Sequence, residues 1–66
     1  MEKYKEIIDT IKKDFEVRQT ALDDLYIMGK CHAIQSIIIN DMSITRKEYT
    51  EIYDLTQSII NSIVNI

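Results

Sequence analysis

Between Ala21 and Met42 the chain is apolar on two opposite sides, and any fold has to accommodate that. At roughly 100° per residue, Leu22, Leu25, Tyr26, Gly29, Ala33, Ser36 and Ile37 share one face of a helix. Ile27, Cys31, Ile34, Ile38 and Met42 fall near the opposite face, which Met28 and Ile39 widen. A helix apolar nearly all round has to be buried nearly all round, inside a larger protein or in a membrane. Asp23, Asp24, Lys30, Gln35 and Asp41 interrupt any apolar run of membrane length. Only two other stretches of the 66 residues are left to cover this one. The expected cover is therefore a second chain, with Ile27, Cys31, Ile34, Ile38 and Met42 as the oligomer or partner interface.

Length points the same way. Residues 1–66 make one domain, and a chain this short buries only about 60% of the surface it exposes when unfolded, so it needs added support. Cys31 is the only cysteine, which excludes an internal disulfide, and no Cys/His grouping has the spacing of a structural zinc site. Oligomerisation remains, as a homodimer or a higher assembly. With no proline, one glycine and almost no β-branched alternation, strands and hairpins drop out. The expected fold is all-α: an antiparallel helical hairpin or three-helix bundle completed by oligomerisation.

A net charge of −3 argues against general nucleic-acid binding, which draws its affinity from many cationic contacts. The opening Met1 to Glu6 mixes acids with bases and leads into no signal-peptide core, and a lone thiol suits a reducing compartment, so a cytoplasmic setting is expected.

Tyr4, Ile7, Ile8, Ile11 and Phe15 form one stripe opposite a charged side. The stripe runs on in register through Arg18, Leu22, Leu25 and Gly29 at the alternating spacing of a coiled-coil seam. That favours one continuous helix of about 40 residues, on the order of 60 Å long. The competing reading breaks it near Val17 to Thr20, with Thr20 and Asp23 capping a new start; it also relieves the seam of Arg18. Further on, Thr45 and Glu48 have the spacing of a capping box, flanked by Ile44 and Tyr49 as a hydrophobic staple, so a helix begins at Arg46. Its expected core face is Tyr49, Ile52, Thr56, Ile59, Ile60 and Ile63, broadened by Tyr53, Leu55 and Val64. The short link from Asn40 to Ile44 folds it back antiparallel on the central helix. Gly29, Ala33 and Ser36 would form a groove of close packing beneath it, offsetting the roughly 1 kcal/mol that a helical glycine costs against alanine.

Chemistry is sparse. Cys31 and His32 are adjacent, so on a helix they point about 100° apart and cannot converge on one atom. The apolar neighbours of Cys31 suit a small buried hydrophobe better than a nucleophile. Asp23–Asp24 and the Glu48, Glu51, Asp54 row read as capping and solvated acids, without the Glu-x-x-His of a di-metal bundle. No phosphate loop or hydrolase elbow is present, and no metal, cofactor or enzymatic activity is expected. Arg46 and Lys47 at a helix start, with Tyr49 and Tyr53 near, combine donors, cations and stacking surfaces for a small anion such as a nucleotide.

The layout of Ala33, Asn40, Ile44, Glu48–Tyr49 and Tyr53 resembles the small helical hairpins of phages and other mobile elements in low-GC bacteria, over about the last 35 residues. The resemblance implies a setting and no activity. Leu55 to Ile60 departs from the Ser-Gln-x-Leu-Asp signature of small hairpin phosphatases of sporulation regulators: Ile60 stands where that family has its aspartate, which removes the residue the activity would rest on. The expected function is a non-enzymatic, self-associating helical interaction module, a regulator or inhibitor that occupies a host protein's surface. The alternative is a binder of a small anionic ligand.

Overall fold

The computed structural model describes the backbone of residues 2–65 and the side chains of residues 3–65. Three helices follow one another, α1 (Glu2–Val17), α2 (Ala21–Ile38) and α3 (Arg46–Val64). Among the described residues there is no strand. The central helix α2 packs against both others. Contacts between distant residues fix the directions: Tyr4 meets Asp41 and Asp14 meets Lys30, so α1 and α2 are antiparallel. Gln35 meets Thr56 and Gln57, so α2 and α3 are antiparallel too.

Arg18 to Thr20 break the chain, so residues 1–41 are not the single long helix that the seam favoured. The molecule is 35 Å in its longest dimension, against about 60 Å for the unbroken helix. The break is made by local hydrogen bonds. Thr20 adopts an extended conformation and its hydroxyl accepts from the backbone N–H of Asp23 at 3.1 Å. In return, Asp23 Oδ2 accepts from the N–H groups of Thr20 and Gln19 at 3.2 and 3.0 Å, completing a capping box. Arg18 leaves the seam altogether. Its guanidinium donates to the Phe15 carbonyl at 2.9 Å and lies 3.9 Å from the Phe15 ring centre. Its Nε is 2.9 Å from Asp24 Oδ1, a buried oxygen with no hydrogen-bond partner, so the ion pair compensates that oxygen's desolvation.

α3 starts as its sequence requires, with Thr45 Oγ1 accepting from the Glu48 N–H at 3.1 Å and Glu48 reaching back to the Thr45 backbone. Ile44 and Tyr49 are both partly buried against the core, as a staple demands. The link between α2 and α3 is held at Asp41. Ser43 donates to Asp41 Oδ1 through its N–H at 2.9 Å and its hydroxyl at 2.6 Å. The Tyr4 hydroxyl donates to Oδ2, and Lys3 Nζ is 2.9 Å from the same oxygen. One carboxylate thus pins the start of α1 to the second turn of the chain.

The core is largely isoleucine: Tyr4, Ile8 and Ile11 from α1, Ile27, Cys31, Ile34 and Ile38 from α2, and Ile52, Ile59 and Ile60 from α3. Thr56 is the one buried polar residue among those described. Its hydroxyl bonds to the Ile52 and Tyr53 carbonyls at 2.9 and 3.0 Å and accepts from Gln35 Nε2 at 3.1 Å, so it is satisfied and fixes α3 against α2. Tyr53 and Val64, expected to broaden the α3 core face, are exposed instead, and so is Ile7 of α1.

Removing the α2 cap by Thr20→Ala is expected to lower unfolding free energy by about 1 kcal/mol, read from urea melts with an unchanged slope. Ser43, then Tyr4 and Lys3, hold the Asp41 carboxyl well below the usual aspartate range. A depressed folded-state pKa gives stability that is present above the unfolded value of about 3.9 and lost as pH falls through the folded one. Wild type should therefore melt above Asp41→Asn at neutral pH, with the gap closing below about pH 4. A gap unchanged across that range would show that the charge contributes nothing.

Candidate functional site

The two faces of α2 have opposite fates, and they are the reverse of those expected from the sequence. Ile27, Cys31, Ile34 and Ile38 are each at most 4% exposed. They are not an open interface, because α1 and α3 of the same chain cover them. Met42, assigned to that interface, lies in the α2–α3 link and is 96% exposed. The face assigned to internal packing points outward: Gly29, Ala33 and Ser36 are exposed. No atom lies within 4 Å of where a Cβ at Gly29 would sit. Hence α3 does not close over a small-residue groove.

Apolar content does not separate the two faces: Leu22, Leu25, Tyr26 and Ile37 make the outer one nearly as apolar as Ile27, Cys31, Ile34 and Ile38 make the inner one. Fully burying a large aliphatic side chain contributes about 1.5–3 kcal/mol on either face. The selection comes from which face α1 and α3 cover together, and the sequence of α2 by itself does not hold that information.

What remains outside is a broad apolar strip. Leu22, Leu25, Tyr26 and Ile37 are all more than half exposed, from 53% at Ile37 to 74% at Leu22. They flank the small residues Gly29, Ala33 and Ser36. Beside the strip, an open groove of about 410 Å³ runs between α1 and α2. Buried Ile11 and Ile34 form its base, Ile7, Thr10 and Ala33 its walls, and Glu6 and Lys30 its polar edge. Lys30 Nζ is 3.2 Å from Asp14 and 4.4 Å from the Tyr26 ring centre. This groove brings together residues of two helices, so no local spacing announced it.

The other candidates are dispersed. Cys31 is fully buried, and burial pushes its thiol pKa up, the opposite of what a nucleophile needs. His32 is exposed. Among the described residues, no three His, Cys, Asp or Glu side chains converge as a metal site would require. Arg46 and Lys47 are exposed at the start of α3, about 100° apart around the helix. The Tyr49 and Tyr53 rings stack on each other, with centroids 6.0 Å apart and planes 16° from parallel. Tyr49 is also packed partly against the core, whereas Tyr53 is exposed. Among the described residues, no helix is long and apolar enough to cross a membrane.

Adjacent residues give a direct check of which face is inside. Ile38→Ala should cost roughly 2–5 kcal/mol, and Ile37→Ala about 0.5 kcal/mol or less, in chemical denaturation of the two variants. Equal costs would contradict the assignment of faces.

No protein-family model matches the chain, and no curated protein or solved structure matches it.

Proposed function

We propose that this protein is a non-enzymatic helical interaction module that works by docking the outer face of α2 onto another helical surface. The observation that supports the reading is that Leu22, Leu25, Tyr26 and Ile37, four large apolar side chains on one side of α2, are each more than half exposed while its other side is covered. Large apolar side chains grouped in this way on a surface mark interaction sites. A helical unit that presents such a face would act by occupying a surface, as a regulator or inhibitor of a host protein does. The phage and mobile-element setting implied by the resemblance of its last 35 residues suits such a role.

The buried face contributes stability and the exposed face contributes recognition, so the two are separable by mutation. Leu25→Lys combined with Ile37→Lys should leave helicity and melting nearly unchanged, since exposed positions tolerate substitution within about 0.5 kcal/mol each. The same double variant should lose whatever chain the wild type holds in native mass spectrometry of protein purified from its host. Association that survives both lysines, or a wild type that associates with nothing, would overturn the reading.

A further inference from the structure

The outer face of α2 is uneven along its length. Leu22, Leu25 and Tyr26 make its first half high; Gly29, Ala33 and Ser36 make the second half low as far as Ile37. Positions 22, 26, 29, 33 and 36 alternate by four and three, the spacing of a helix–helix seam. Nothing inside the chain accounts for the glycine, because a Cβ at position 29 would meet open space and alanine is intrinsically better in a helix.

A face that is high at one end and low at the other is complementary to itself once reversed. In a twofold pairing residue i meets residue j and j meets i. With the axis beside Gly29, Tyr26 falls level with Ala33 of the second copy, and Leu22 level with Ser36 and Ile37. A parallel pairing would instead set Tyr26 on Tyr26 and Gly29 on Gly29, leaving a void beside each clash. Antiparallel helices also align their dipoles favourably.

The groove between α1 and α2 adds a second match. It opens on the side of α2 that carries both Ala33 and Tyr26, and a twofold normal to the two helix axes keeps both on the same side of the pair. Tyr26 of one copy is therefore level with the groove of the other, and its ring reaches that groove by turning away from Lys30 of its own chain, whose Nζ is 4.4 Å from the ring centre. A cavity of roughly 150 Å³ suffices for a benzene ring, and the groove offers about 410 Å³. Thr10 and Glu6 at its edge provide polar partners for a phenol, which a covered tyrosine requires. Lys30, the cation nearest the strip, is already paired with Asp14, so two copies do not bring bare like charges together.

If a fully exposed large side chain presents roughly 200 Å², then Leu22, Leu25, Tyr26 and Ile37 together expose on the order of 500 Å² per copy. Covering all four on both copies would bury about 1,000 Å², the lower bound for a specific interface.

Resting on the docking role of this face, we infer that its occupant is a second copy of the chain: a twofold dimer of antiparallel α2 helices, with Gly29 near the axis and each Tyr26 in the other copy's α1–α2 groove. The test is sedimentation equilibrium with circular-dichroism melting on wild type, Gly29→Leu and Ala33→Arg. Wild type should have twice the 7.8 kDa chain mass, and both variants should be helical single chains, since both positions are exposed. Should either variant fail to fold, cysteine cross-linking decides. In a chain carrying Cys31→Ala, Tyr26→Cys with Ala33→Cys should form a covalent dimer under mild oxidation, and Tyr26→Cys alone should not. A cross-link from the single variant means parallel pairing and overturns the inference, as does a dimer indifferent to Gly29→Leu and Ala33→Arg. A wild type that stays a single chain up to about 1 mM, where even weak dimers are populated, also overturns it. That result leaves the docking role standing if the lysine double variant still releases a different partner.

Discussion

The eighteen residues of α2 carry more apolar surface than two neighbouring helices can cover, and the rest of the structure follows from how that surplus is divided. Two helices packed on one side of a third leave its far side open whatever their sequences. Ile27, Ile34 and Ile38 lie on the covered side, where each contributes its full transfer free energy, while Ile37 stays outside. The chain leaves outside a mixture of large and small residues that would pack against its own helices with voids. The molecule thus has a finished core and an unfinished surface on the same helix.

Small size sharpens this division. A chain of 66 residues has little stability to spare, so the contacts that organise it are concentrated at a few points. Thr20 and Asp23 turn the chain at one end, Asp41 joins the start of α1 to the α2–α3 link at the other, and Thr56 with Gln35 sets α3 against α2. Each of these polar groups has named partners, whose hydrogen bonds offset the desolvation that comes with sitting beside an isoleucine core. The apolar core supplies the bulk of the free energy, and these polar joints select one arrangement of three helices from the several that would bury a similar area.

A covered core and an exposed α2 strip also separate folding from association. Most of the strip lies away from the three-helix core, so recognition is free to be tuned on one face while the other holds the fold; Tyr26 alone reaches back, through Lys30, to Asp14 of α1. The α1–α2 groove is the exception, because its base of Ile11 and Ile34 belongs to the core. A side chain entering the groove touches both, which links occupation of the surface to the stability of the helix pair.

Local chemistry was legible in the sequence. The helical character of the chain, the capping boxes at Thr20 and Thr45, the staple of Ile44 and Tyr49, and the core stripe of Ile52, Thr56, Ile59 and Ile60 all rest on interactions within four residues, and a single segment specifies them. So did the existence of a surplus apolar face. Tertiary structure decided three things: that the seam stops at Arg18, which face of α2 is covered, and that Asp41 is a joint. Continuity against reversal was a contest between a local cap and burial spread over all three helices, and only the folded sum resolves it. Tyr4 and Asp41 are 37 positions apart, as their hydrogen bond records, and no periodicity pairs residues at that distance. The face of α2 that meets solvent is likewise a property of what α1 and α3 cover, so the exposed site came into view only once the chain had closed on itself.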